Sequence, residues 1–138
     1  MYAGTFVRQR RIVIETDLLN HPSELARILV HELFHFVWLR LGNRTRWAYE
    51  ALLEAELRSR AQGELGWSAE SRKIHLKRDH RVRRTRKWRE YVCESFCDSA
   101  AWLFAEKKRH SEFTLAPPFR KLRRRWFQNS GLMQSISV

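Results

Sequence analysis

Two short patterns constrain this chain more than anything else in it: His31-Glu32-Leu33-Phe34-His35, and, further along, Glu94-Ser95-Phe96-Cys97-Asp98. On a helix, residues four apart lie on one face, so each pattern aims two side chains in a common direction. Two imidazoles aimed together suit a single metal ion. Glu32 sits about 100° round the axis from His31, within reach of a water held by that ion. The second pattern aims two carboxylates in the same way.

The context of both patterns is helical. Pro22 suits a first helical turn, with His21 or Asn20 before it and Glu24 placed where its charge favours the helix dipole. That helix is expected to run to about Leu41 and to stop at Gly42-Asn43 in a left-handed cap. Leu25, Ile28, Leu29, Leu33, Phe36, Val37 and Trp38 cover most of its circumference, which predicts the central buried helix. His31 and His35 then interrupt an apolar surface and need a reason to be there. A second helix is read over Trp47–Gln62, with Thr45 as N-cap and Gly63 as its stop. A third runs from Trp88 to Lys108 on a stripe of Tyr91, Val92, Phe96, Ala100, Leu103 and Phe104. After Pro117-Pro118 a short basic helix spans Phe119–Phe127. Thr5–Glu15 is β-rich, with Ile12-Val13-Ile14 the best strand and Arg8-Gln9-Arg10-Arg11 a turn or edge. Gly63–Ser71 reads as loop with room for one turn near Ser68, Lys73–Lys77 as a short strand, and Arg78–Lys87 as too charged for a core.

The sequence has 138 residues, 43% of them hydrophobic and 12% aromatic, which is enough for one domain with a real core. The expectation is an α+β fold in which a small N-terminal β-structure packs on the two motif helices, with about four helices in all.

The net charge of +12 is uneven: residues 1–71 balance nine basic against nine acidic side chains, whereas residues 72–138 hold eighteen against six. The excess falls in the segment 72–89 and in Arg120-Lys121-Leu122-Arg123-Arg124-Arg125. Such fields attract acidic partners or nucleic acid, and Trp88 between Lys87 and Arg89 is placed to stack a base. A solvated basic face is the plainer reading. Leu25–Leu41, the most apolar segment, carries Arg27, His31, Glu32, His35 and Arg40, which excludes a membrane span. Met1-Tyr2-Ala3-Gly4 has no basic stretch leading into an apolar run, so no secretory leader is read. Two cysteines without such a leader fit a reducing compartment, and the expected location is cytoplasmic. Cys93 and Cys97, poorly disposed for a disulfide, are read as small buried hydrophobes.

Zinc catalysis needs three protein ligands and one open position. His31 and His35 supply two. Glu94 has the best case for the third, with Asp98 one turn on; His75 and His80 are the other candidates, and His21 and His110 read as surface or capping residues. His31-Glu32-x-x-His35 followed by Glu94-x-x-x-Asp98 resembles the gluzincin group of zincin metallopeptidases, whose zinc site is thermolysin-like. The resemblance implies that His31, His35 and Glu94 bind Zn2+, that Glu32 acts as general base and acid on a zinc-bound water, and that Asp98 orients His31. It also implies a His or Tyr that steadies the tetrahedral oxyanion, for which Tyr91, His75 and His80 are the candidates. The chain is as short as the minimal gluzincins, which lack most of the lower subdomain of larger relatives. The expected activity is hydrolysis of peptide bonds in a peptide or protein substrate. Two readings of other classes fit the same residues: a silent or latent zincin-like interaction domain whose tail, 113–138, covers the site, and a basic nucleic-acid-binding protein with an accessory metal site.

Overall fold

Two strands open the chain in the computed structural model, which describes residues 3–105 and 109–132. β1 (Ala3–Phe6) pairs antiparallel with β2 (Arg11–Ile14), Ala3 opposite Ile14 and Phe6 opposite Arg11. A 3-10 turn at Val7–Gln9 and a left-handed Arg10 (φ 50°) reverse the chain between them. The arginine-rich stretch thus makes the turn, and its last residue starts the second strand.

A further 3-10 turn, Thr16–Asn20, leads into α1 (Pro22–Arg40), which has Pro22 and Glu24 in its first turn and Arg40 in its last. Only Leu41 and Gly42 separate it from α2 (Asn43–Arg58), and both are extended. Gly42, at φ −68°, is therefore the N-cap of α2 and not the left-handed stop expected for α1. α2 begins before Thr45 and ends before Gln62, because the chain turns left-handed at Arg60 (φ 57°), ahead of Gly63.

Two short helices add to those expected. α3 (Trp67–Lys73) occupies the expected loop, and α4 (Arg78–Val82) is a single charged turn. The alternation at Lys73–Lys77 forms no strand; Ile74 follows α3 and lies open to solvent. α5 (Arg86–Phe104) and α6 (Pro117–Asn129) complete six α-helices among the described residues, against about four expected. Helices of seven and five residues are too short to show an apolar period. The end of the third expected helix, at residues 106–108, lies outside the described residues.

The central helix is α5, not α1. Trp88, Tyr91, Val92, Phe96, Cys97 and Ala100 are all buried, and α1, α3 and α6 pack around them. On α1 the residues that go inside are Glu24, Arg27, His31, Glu32 and Phe34, while Leu33 and Leu39 are about half exposed, at 46% and 52%. The reason is a polar stripe, Glu24, Arg27, His31 and His35, spaced by three or four residues and turned towards partners on α5 and the 109–115 loop. β1 packs on the same helix. In the segment from Phe113 onward, Phe113 and Leu115 pack with Leu65, and Phe127 of α6 stacks on Phe96 in the core. Residues 133–138 lie outside the described residues.

Candidate metal centre

The two motif helices meet where the sequence patterns require. His31 Nε2 stands 3.0 Å from Glu94 Oε2, and His35 Nε2 stands 3.4 Å from the same oxygen. Cys97, one turn beyond Glu94 on α5, joins them. The ligand atoms of His31, His35, Glu94 and Cys97 all lie within 4.8 Å of one another, close enough to bind a metal ion.

The donor set passes a test of fit. Glu94 Oε2 is buried and has no aligned hydrogen bond although two imidazole nitrogens face it. Nitrogen and oxygen ligands of a tetrahedral ion, held at 2.0–2.1 Å, stand about 3.3 Å apart, close to the spacing seen here. Both imidazoles also have their other nitrogen engaged. His31 Nδ1 is 2.7 Å from Asp98 Oδ1, and His35 Nδ1 is 3.6 Å from Cys93 Sγ. This leaves Nε2 as the ligating atom of each ring, the arrangement that outer partners impose on metal-bound histidines.

Asp98 is itself held from outside α5. Its second oxygen, Oδ2, accepts the Ala69 amide at 2.8 Å from the first turn of α3. Gly66, the N-cap of α3, lies so close that a β-carbon there would come within 2.5 Å of Oδ2. A short helix in place of the expected loop thus clamps the carboxylate that orients His31.

Without a metal the cluster is held together by charge. Burial alone would lower the pKa of His31, but Asp98 and Glu94 outweigh it and raise it to about 10. Burial likewise opposes the rise of His35 to about 9, which Cys93 and Glu94 bring about. Burial would raise Glu94, yet the two imidazoles hold its carboxyl far below the usual carboxylate range. Cys93 is pulled down to about 6 by Cys97 and then by His35, while burial keeps the Cys97 thiol well above its ordinary value.

Glu32, the expected base, is buried and receives a hydrogen bond from the Thr5 hydroxyl of β1. With His31 it floors a cavity of about 320 Å³ whose walls include Arg27, Trp67, Ser71 and Arg72. Arg72 reaches over to Glu94 Oε1 at 3.6 Å and is tied to the Ser68 carbonyl at 2.8 Å. The candidates for the oxyanion role fare differently. Tyr91 is fully buried and donates to Glu64 at 2.5 Å, within a network that runs to Arg123. His80 Nδ1 accepts the Lys77 amide at the start of α4, and His75 is exposed on the link between α3 and α4. None of the three belongs to the ligand cluster, so neither His75 nor His80 stands in for Glu94 as third ligand.

Cys97 is the ligand-type residue that sequence reasoning missed. It reads as a small hydrophobe turned away from the metal, yet the i+3 spacing from Glu94 keeps it on the ligand face. Cys93, with the same reading, proves to be the partner of His35. His110 is not a surface residue. Its Nδ1 accepts the Glu112 amide at 3.0 Å, so its Nε2 carries the proton and donates to Glu24 at 3.0 Å. With Arg27 reaching both Glu24 and Glu112, and the Trp67 amide donating to Glu112, this second group of ligand-type side chains is partnered and fastens the 109–115 loop to α1. Trp88, expected to stack a base, is completely buried with Nε1 on Glu50 at 2.7 Å.

No protein-family model, no curated protein and no solved structure matches the chain. Among the described residues no helix is long and apolar enough to cross a membrane.

Proposed function

We propose that the chain is a zinc-dependent hydrolase of the gluzincin kind, a minimal metallopeptidase whose zinc is held by His31, His35 and Glu94. The observation that carries this reading is the convergence of both Nε2 atoms on one buried, unaligned oxygen of Glu94, with both Nδ1 atoms engaged elsewhere. Zinc in such a site supplies Lewis acidity and lowers the pKa of water to about 7. The residues of the chain do the rest. Glu32, one position from His31 and open to the 320 Å³ cavity, takes the proton of the attacking water and later returns it to the leaving amine. Thr5 fixes the carboxylate of Glu32 from β1, and Asp98 fixes the ring of His31. The cavity wall carries both signs, Arg27 and Arg72 beside Glu32, Asp98 and Glu112, so it offers polar contacts to a peptide without selecting one charge.

The test is hydrolysis of a mixed peptide library by the zinc-loaded protein beside its Glu32→Gln variant. The variant is expected to bind zinc as wild type does and to lose turnover. Full activity in Glu32→Gln, or no hydrolysis by zinc-loaded wild type and none by zinc-loaded Cys97→Ala, rules out the peptidase reading.

A polyanion contact is a second reading, favoured by one surface feature. Trp47, 56% exposed, lines a cavity of about 380 Å³ together with Arg46 and Arg89, while Arg84 in the same wall is paired with Glu50. An aromatic face beside guanidinium groups is the pattern for a single-stranded nucleic acid, and its affinity should fall steeply with salt.

A further inference from the structure

The peptidase reading counts three protein ligands, but the cluster holds four. Cys97 Sγ falls in the same 4.8 Å group as the atoms of His31, His35 and Glu94, and the residue is completely shielded from solvent. The cavity beside the site reaches the cluster through His31 alone; His35, Glu94 and Cys97 do not line it. A metal held by the two imidazoles and Glu94 would therefore have the Cys97 sulfur among its neighbours, while the cavity meets the cluster at His31.

We propose that Cys97 is a fourth protein ligand, so that the resting centre is closed by two histidines, one glutamate and one cysteine. Thiolate is among the strongest ligands for zinc, and sites with four protein ligands are structural or silent, since catalysis needs a vacant position. The thiol proton leaves to solvent as the sulfur binds, as it does for any coordinating cysteine. One thiolate and the Glu94 carboxylate, with two neutral imidazoles, would together balance the charge of a divalent ion. Cys93 does not compete for the position, because its sulfur is turned to Nδ1 of His35, the side of the ring away from the ligating nitrogen. The inference rests on the metal reading above and deepens it: hydrolysis waits for Cys97 to leave, and the protein is held latent from within its own glutamate helix.

The experiment is to load the purified full chain with Co2+ and record its absorption spectrum. A sulfur ligand produces an intense near-ultraviolet charge-transfer band, which nitrogen and oxygen ligands do not. The band is expected in wild type and in Cys93→Ala and is expected to be absent from Cys97→Ala and Cys97→Ser. The Cys97 variants should still bind one metal per chain, at least about tenfold more weakly. A wild-type spectrum without the band overturns the inference with no variant needed, so a poorly folding variant leaves it testable. Loss of the band in Cys93→Ala alone would reassign the sulfur and overturn it equally. Failure of wild type to take up any metal removes the metal reading and this inference together. Zinc-loaded Cys97→Ala separates the two claims: a wild-type band with no hydrolysis gained in the variant leaves Cys97 a ligand and counts against the peptidase alone.

Discussion

Asp98 holds His31 by a carboxylate that is held in turn by the backbone of another helix. One oxygen lies 2.7 Å from His31 Nδ1, and the other accepts the Ala69 amide at 2.8 Å, with Gly66 pressed against the carboxyl group. The orientation of a metal ligand on α1 thus depends on the first turn of α3. Removing outer partners of this kind typically costs 10–100-fold in metal affinity. Asp98→Asn is therefore expected to weaken zinc binding by about 10–100-fold, measured by competition with a chromophoric chelator. Gly66→Ala tests the same link from the other side. Its new β-carbon must displace the carboxylate, so it should weaken zinc binding although residue 66 touches no ligand. Wild-type affinity in both variants would remove Asp98 from the site.

The ligand set itself is settled by stoichiometry. Glu94→Ala should retain less zinc than wild type through gel filtration, because it removes the oxygen on which both Nε2 atoms converge. His75→Ala should bind zinc as wild type does, since His75 is exposed and outside the cluster. Metal analysis after gel filtration reads both. Loss of zinc in His75→Ala would point to a different ligand set.

How much of this is legible in the sequence follows from the lengths of the signals. The i, i+4 patterns of His31-His35 and Glu94-Asp98 each sit in a helix of nineteen residues, long enough for periodicity to place them. The clamp on Asp98 comes from a seven-residue helix opened by Gly66, in a stretch whose sequence suggests loop with at most one turn near Ser68. Periodicity misjudges the burial of α1 because the apolar residues on it are many, whereas charge pairs choose the inward face. Glu24 and Arg27 precede His31 on that face, and their partners, His110 and Glu112, are more than eighty residues away in sequence. Cys97 escapes notice because a thiol reads equally as hydrophobe or ligand until its neighbours are known.

Arg123 belongs to a run of six residues that reads as a surface cluster, yet it lies in the interior. Completely buried, it binds Glu56 with two nitrogens (2.9 and 2.7 Å) and Glu64 with two contacts (2.8 and 3.0 Å). Breaking a buried pair strands its partners, which costs about 3–5 kcal/mol. Arg123→Ala leaves two buried carboxylates and is expected to destabilise the protein by about that amount or to unfold it. Arg125→Ala, two residues on, lies on the exposed face of α6 and should cost well under about 1 kcal/mol. Urea unfolding of the two variants gives the comparison. Equal midpoints would mean that α6 is not anchored by Arg123.

The same network sets a pH dependence. Burial would raise the pKa of Glu64, but the Arg123 charge and hydrogen bonds, with Lys73 and Tyr91, outweigh it and lower the carboxyl below its ordinary 4.5. A carboxyl whose folded pKa is depressed binds fewer protons folded than unfolded. Its contribution is complete above the unfolded value and is lost as pH falls through the folded one. In metal-free protein, where proton competition for the ligands of zinc plays no part, stability should therefore fall as the pH drops below about 4.5. Glu64→Gln removes that titration and leaves Arg123 with Glu56 alone. The variant should be less stable than wild type at neutral pH, and the gap should narrow as the pH falls below 4.5. Unfolding midpoints taken across the acid range decide it. A gap that stays constant with pH would show that Glu64 carries no depressed pKa and that the anchor of α6 works through packing alone.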